Sequence, residues 1–503
     1  MPSNRQTKPS LGDRASHAAV LMTGQAIYVK AAALVLQLIL AKLLLRDEFG
    51  LYGLALTVYS FAAMFHQAGV LEVLVARQRS FHIWASTGFW LSTTIGIIAF
   101  LVTLLLAPAA ARFYRTDDPA TLVRLIGTLA IVFPISAAGA VNRAKLQVQM
   151  RFRELAIIGM LVATLDLGLK VTFASMGFGA FSFAYGAILT SIGHLILCWS
   201  FAPIKIRWRP QVRRWKYLLN DGVMVVGSLL FMWVIEEGDY VVLGRFESVT
   251  VVGVYFFAYR MSRHVMSLLT FQMSRVLFPA LSQLSVESGQ QFKAFVRAAR
   301  LITAVCFPIC LLMASVADPI VKVCFDPKWY EAIPLMQIMC LGMTIRTMSW
   351  PIASLFKAQG RFRTHMIVSA LSICLFFPLA ILGTSLGSAF GLSIAVAVFY
   401  ALSTTLEFIV VMRPDGHVAS RFVSVIVLPM LVAIVAVAIA TSIGYLALPE
   451  LTSDATIQHL AQIVVITIVS LIVYVPLIRW LAADVWQDAL LRAKRLLPAR
   501  LVS

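Results

Sequence analysis

The chain has 503 residues, 60% of them hydrophobic and only 13% charged, with a formal net charge of +19. A soluble domain is about half apolar and about 25% charged, so this composition, with a mean hydropathy of +0.87, excludes a soluble enzyme or binding module and marks a polytopic membrane protein. The basic excess would suggest nucleic acid in a soluble protein, but cytoplasmic loops of membrane proteins collect Lys and Arg, so nucleic acid is set aside as a partner.

The first 17 residues form a polar, basic tail, and the apolar run that follows is too long for the core of a secretory signal. The hydropathy pattern then predicts about fourteen spans of bilayer length. The first six are Ala18–Leu45, Leu51–Leu74, Ile83–Ala107, Leu125–Val141, Leu155–Met176 and Ala180–Ala202. The next six are Gly222–Leu243, Val251–Leu281, Leu301–Phe325, Ile333–Leu355, Met366–Leu386 and Ala389–Met412. Phe422–Leu448 and Leu460–Ile478 complete the set. A cytoplasmic N-terminus puts NRAKLQVQMRFRE, KIRWRPQVRRWKY, KAFVRAAR, KAQGRFR and RAKRLLPAR on one side, about 28 Lys and Arg against about 8 on the other. That bias sets the orientation and favours an even span number with both termini cytoplasmic.

The loops are short, which excludes a sizeable soluble catalytic domain. Asp117 and Asp118, an acid pair by composition, read as solvated loop residues. The six cysteines form no CxxC or metal spacing, and His66, His194 and His264 lie one per helix, so no metal site is predicted. Trp329 and Tyr330 at a span end read as an interfacial aromatic belt. The tail from Leu481 sets apolar residues against Arg492, Lys494 and Arg495, as a surface-lying amphipathic helix would.

An internal repeat organises the chain. DEFGLYGLALTVYSF (Asp47–Phe61) and SVTVVGVYFFAYRMS (Ser248–Ser262) each place G-(L/V)-Y at the opening of an even-numbered span, six spans apart. An even offset keeps orientation, so the halves are parallel repeats, an arrangement typical of transporters. The predicted plan is all-α. Residues 1–17 form the tail, 18–215 a six-span lobe with its basic linker, 216–415 a second lobe, 416–480 two further spans, and 481–503 the amphipathic tail.

Few charges fall deep within the spans, and each costs about 3 kcal/mol or more at mid-bilayer, so each must pair or face water. They include Lys30, Asp166, Lys170, Glu236, Glu237, Asp239, Arg260, Arg263, Arg346 and Glu407. Asp166 and Lys170 are four apart and can pair along one helix. A turn near Ser248 would set Glu236 level with Arg260, and Arg260 and Arg263 share a face. Two readings remain open for the acids: neutralising Arg260 and Arg263 to hold two helices together, or binding a coupling ion. Lys30, Arg260, Arg263 and Arg346 read as a cationic cavity suited to an anionic headgroup, since Arg matches phosphate oxygens bidentately.

With these residues in place, the chain resembles lipid-linked oligosaccharide flippases of the Wzx type, the polysaccharide branch of the multidrug/oligosaccharidyl-lipid/polysaccharide exporter superfamily. AKLLLRDEFGLYGLALTVYSF, DYVVLGRFESVTVVGVYFFAYRM with VLFPALSQL, and FDPKWYEAIPLMQIMCL with KAQGRFR carry the similarity. The resemblance implies two six-helix lobes in a V plus two C-terminal helices in the bacterial inner membrane. It implies a polyprenyl-pyrophosphate-linked glycan as substrate, membrane lipids around it, and polysaccharide polymerase and chain-length proteins as candidate partners. It implies no cofactor, with coupling to H+ or Na+ through Glu236, Glu237, Asp239 or the Asp166–Lys170 pair as the candidate drive. Two other classes are weighed. A small-cation exporter predicts a cavity of acids and aromatics rather than cations, and a membrane glycan polymerase predicts a large catalytic loop.

Overall fold

The structure, a computed structural model, describes residues 11–66, 74, 81–207, 210, 212, 215–284, 289–446 and 455–481. The amphipathic helix expected over 481–503 lies, beyond Leu481, outside the described residues. All regular structure among the described residues is helical. By length and hydropathy, ten helical stretches among the described residues can cross a membrane. The chain divides into two compact units, Met1–Gly253 and Val254–Ser503.

The first unit holds α1 (Leu11–Leu43), α2 (Arg46–His66), α3 (Phe81–Tyr114), α4 (Pro119–Ala130), α5 (Val132–Val148), α6 (Phe152–Ser175), α7 (Phe181–Phe201) and α8 (Trp215–Phe246), and ends in the first turn of α9 (Val249–Ser282). The α1–α2 break is stabilised by Glu48, whose carboxylate accepts the Leu45 N–H at 2.7 Å and so satisfies an orphan donor at a helix start. The fourth expected span is two helices, α4 and α5, meeting at Ile131. Asp118 caps α4: its carboxylate accepts from the Thr121 N–H at 3.0 Å and the Thr121 hydroxyl at 2.5 Å, with Pro119 following. Those bonds hold the Asp118 carboxyl below its usual range.

Packing in this unit follows small and apolar faces. Helix α1 lies along α6, α6 along α7, α3 against α4 and α5, and α8 against α2 and α3. Tyr52 of α2 stacks on Phe183 of α7 at 3.8 Å, and Leu91, Val141 and Ala144 join α3 to α5 in a buried cluster.

The second unit holds the rest of α9, then α10 (Gln290–Cys324), α11 (Ala332–Arg346), α12 (Ser349–Ala358), α13 (Phe362–Met412), α14 (Val418–Phe422), α15 (Leu428–Leu446) and α16 (Ala455–Leu481). Helix α13 is two arms. Gly387 and Ser388 leave helical geometry, Ser388 with φ 53°, and the chain folds back. The backbones of Gly383 and Gly391 meet between the arms, where a β-carbon on either would strike the other's carbonyl oxygen. Phe376 packs on Phe399 at 5.0 Å further along, so the two arms supply the eleventh and twelfth expected spans.

The tenth expected span, Ile333–Leu355, is interrupted after Arg346. Helices α11 and α12, 15 and 10 residues long, are each too short to cross a bilayer alone. Pro351 has no N–H to give the Thr347 carbonyl, which accounts for the break. The core of the unit gathers Phe295, Phe307, Phe356 and Phe408 with α15 and α16. Trp329 departs from the interfacial reading: it is fully buried, stacked on Phe257 at 4.3 Å, while Tyr330 beside it is exposed. A short helical turn (Pro327–Trp329) folds the indole inward.

Candidate functional site

The first unit carries two polar groupings at spans. On α6, Lys170 Nζ lies 2.8 Å from Asp166 Oδ2, and both side chains remain partly exposed. Lys30 is half-buried on α1. The register of α1 on α6 is fixed by Gln25 packing against Gly159 and by the Tyr28–Thr164 hydroxyl contact at 2.7 Å. Two residues on from that contact, the register sets Lys30 level with Asp166. Tyr28, Gln25 and Thr164, which sequence reasoning passed over, thus share a polar strip with the expected cation. A Tyr and a Thr within an apolar run carry too little signal to be singled out.

The second grouping is the acidic stretch of α8. Glu236, Glu237 and Asp239 are 8%, 9% and 2% exposed. One turn before them, Trp233 donates to Ser60 Oγ of α2 at 2.9 Å and packs edge-on against Phe61. Tyr114 at the end of α3 lies beside Glu237. Asp239 accepts the Tyr240 N–H at 2.9 Å. The acids therefore sit inside the helix packing of this unit and not against lipid.

The two repeated motifs meet within the same unit. A β-carbon on Gly50 would overlap the Val249 carbonyl oxygen, and one on Gly253 would overlap that of Arg46. Each of these carbonyls lies one helical turn before the other helix's glycine, so the contact is reciprocal. Beside it the Thr250 hydroxyl donates to Asp47 Oδ1 at 2.5 Å. Backbones this close tolerate no side chain, which is the physical reason for glycine in both motifs.

The second unit carries the other three expected cations. Arg260 and Arg263 are half-buried on α9, and the Arg260 guanidinium lies 4.9 Å from the Phe256 ring. Arg346, at the end of α11, is 6% exposed, with its guanidinium 4.2 Å over the ring of Tyr400. Glu407, from the second arm of α13, is buried nearby, 8% exposed, within the field of Arg346 and close to Ser349. Ser349 and Thr404 hydroxyls are 3.0 Å apart, and Tyr400 meets the Tyr259 hydroxyl at 3.3 Å. No acid lies near Arg346 along its own helix, so Glu407 was legible only as a lone charge in TTLEFIVV; tertiary packing set it near the arginine. Among the described residues no group of three or more His, Cys, Asp or Glu is placed to hold a metal ion.

Residues 39–334 match the family described as Polysaccharide biosynthesis protein, more than half of the chain. The chain belongs to this family. Within it, the chain is similar to the lipopolysaccharide biosynthesis protein WzxC of Escherichia coli, 24% identical over 77% of this chain and 79% of that one. It is 24% identical to the succinoglycan biosynthesis transport protein ExoT of Rhizobium meliloti over 64% of this chain and 65% of that one, just under two thirds of the relative's length. Its fold is similar to that of the lipid II flippase MurJ in an inward closed conformation, with a TM-score of 0.72 at 13% identity, over 92% of this chain and all of that one. The family is one of polysaccharide biosynthesis, and this chain, with its membrane-length helices, has a fold similar to that structure's.

Proposed function

We propose that the protein is a flippase that carries a polyprenyl-pyrophosphate-linked oligosaccharide across the bacterial inner membrane for exopolysaccharide or lipopolysaccharide assembly, with both termini cytoplasmic. The observation that carries this reading is the pair Arg260 and Arg263. Two guanidinium groups on one face of a membrane helix, each half-exposed, cannot rest against lipid at about 3 kcal/mol or more apiece. Two such groups suit an anion, and a pyrophosphate supplies oxygens in the geometry that guanidinium matches. A polysaccharide biosynthesis family and a fold similar to a lipid flippase's support a lipid-linked glycan as that anion.

In the cycle, Arg260 and Arg263, with Lys30 and Arg346, engage the pyrophosphate, and the sugar follows through a polar path. The reciprocal contact at Gly50 and Gly253, with Asp47 on Thr250, fixes α2 against the start of α9. Glu236, Glu237 and Asp239, and the Asp166–Lys170 pair, either bind the coupling ion or pair helices. Membrane lipids surround the substrate's tail, and polymerase and chain-length proteins are the partners to which the product passes. The protein moves its substrate and makes or breaks no bond in it.

The test is a leaflet assay. Purified protein in proteoliposomes receives a polyprenyl-pyrophosphate oligosaccharide whose outer-leaflet copies are chemically distinguishable. The expected result is protein-dependent equilibration that Arg260→Ala with Arg263→Ala abolishes while the fold persists. Wild-type rates in that double variant would refute the cation assignment. A folded protein that flips no lipid-linked glycan would refute the flippase reading and favour the small-cation exporter.

A further inference from the structure

The stretch Pro203–Arg207, which follows α7 on the way to α8, is not helical, yet side chains of the first unit fasten it at several points. Pro203 cannot continue α7, whose last carbonyls would lack donors. Three side chains around the α5–α6 turn supply them. Arg151 Nη1 donates to the Phe201 carbonyl at 2.8 Å, Asn142 Nδ2 to that of Ala202 at 3.0 Å, and Lys145 Nζ to that of Pro203 at 2.6 Å. Further on, α3 takes over. The Ser86 hydroxyl accepts the Arg207 N–H at 2.9 Å and donates to its carbonyl at 3.3 Å, and the Trp90 indole donates to the same carbonyl at 2.9 Å. Between these points Ile204 and Ile206 are half-buried while Lys205 and Arg207 are exposed, the period of two that an extended chain gives. Ile204 packs on the cluster of Leu91, Val141 and Ala144, beside Phe89 and Trp215.

The cations here fall into two sets. Lys145 and Arg151 are spent on backbone carbonyls, whereas Lys205 and Arg207 are turned outward. Their own segment offers no counter-charge: no Asp or Glu occurs between Asp166 and Asp221, and six Lys and Arg fall within Lys205–Lys216. Helix α3 has 34 residues, about 51 Å at 1.5 Å each. A hydrocarbon core is about 30 Å thick, so turns at the ends of α3 reach the headgroup layer. The fastened segment lies along the first turns of α3, where α5 and α7 also end.

We propose that Pro203–Arg207 is a binding site for anionic phospholipid headgroups, with Lys205 and Arg207 as the ligating cations and Ser86 and Trp90 as the residues that hold them in place. A phosphodiester brings the charge this patch lacks, and a guanidinium matches two of its oxygens. A loose basic loop would lose chain entropy on binding; this one has already lost it to Ser86, Trp90 and Lys145. Because the two cations are exposed at helix ends rather than enclosed by spans, the phospholipid of the adjoining leaflet is the occupant. The proposal rests on the flippase reading only for which leaflet this is, the cytoplasmic one.

The test uses full-length protein in phosphatidylcholine vesicles with a trace of phosphatidylglycerol that carries a photoreactive headgroup, and cross-links are mapped by mass spectrometry. The label should enter the segment holding Lys205 and Arg207. Unlabelled phosphatidylglycerol should compete it away, and added salt should weaken it. Lys205→Gln with Arg207→Gln should lower labelling there by about tenfold or more, at about fivefold for each cation facing an anionic surface. Lys205→Arg with Arg207→Lys should retain it, and Trp90→Phe, which loses only the indole donor, should lower it less. Should the neutral pair fail to fold, Lys205→Gln alone decides, with a loss of about fivefold. Labelling unchanged by unlabelled phosphatidylglycerol, or wild-type labelling in the neutral variant, overturns the proposal. So does displacement by a polyprenyl-pyrophosphate glycan at concentrations where phosphatidylglycerol has no effect, since the site would then belong to the carried substrate. The leaflet assay is run on the same preparations. Selective labelling in a protein that flips no lipid-linked glycan keeps the phospholipid site and removes the flippase reading; flipping without selective labelling does the reverse.

Discussion

Two combinations of opposite charges in this protein differ in every respect that matters to a membrane helix. Lys170 and Asp166 sit one turn apart on α6, 2.8 Å from each other, with side chains 13% and 27% exposed. Arg346 and Glu407 come from different helices, 6% and 8% exposed, and are flanked by Tyr400 and Ser349. The first pair is local: either partner can turn toward water when the other is lost. The second is brought together by tertiary packing, so losing Arg346 leaves buried Glu407 without its neighbouring cation. Charge pairs in a membrane protein are therefore graded by whether solvent remains as an alternative partner, and not by distance alone.

The sharpest way to break this comparison is Arg346→Ala. It should destabilise the protein by about 3–5 kcal/mol, the cost of leaving a buried charge uncompensated. Thermal unfolding in detergent measures it. The double change Arg346→Met with Glu407→Leu should recover most of that loss, because an apolar pair of similar volume needs no counter-charge. Recovery of stability without recovery of transport would assign the pair to function.

Gly253→Val probes the reciprocal contact of the repeated motifs. Its side chain would press on the Arg46 carbonyl, and the expected loss is about 1–3 kcal/mol or a displaced α2, as for overpacked cores. Retained stability with blocked transport would show that the contact serves transport rather than folding.

Asp166→Asn is expected to cost about 1 kcal/mol or less, since a partly exposed pair contributes little. A loss as large as that of Arg346→Ala would erase the distinction between the two pairs.

The smallest effect belongs to Asp118 at the cap of α4. Its folded-state value lies below the unfolded one, chiefly through the Thr121 hydroxyl. Its contribution is therefore present above the unfolded value, near pH 4, and is lost as pH falls through the folded value. Asp118→Asn should remove only that acid-range component of the unfolding curve.

How much was legible follows from these same residues. Asp166 and Lys170 were readable as a pair because helical spacing alone brings them together. Gly50 and Gly253 were readable as a repeat from G-L-Y and G-V-Y, but not as a contact, because the pattern does not say which backbones approach. Asp118 was read as a plain solvated residue, and its capping role needed only the local Asp-Pro-x-Thr sequence. Trp329 was misplaced at an interface, since Trp at a span end satisfies either surroundings and only Phe257 across the fold decided for burial.

By itself the sequence determined that this is a multi-pass helical membrane protein, which residues had to lie within the bilayer, and that charges there needed partners or water. Those conclusions need only hydropathy, spacing and the cost of a charge in hydrocarbon. Tertiary structure decided the rest. It folded one long helix back at Gly387 and Ser388, split another beside Arg346, and brought buried Glu407 into that arginine's field. The reason is physical: partners on different helices are selected by how apolar surfaces and small residues pack, and no local spacing records that choice.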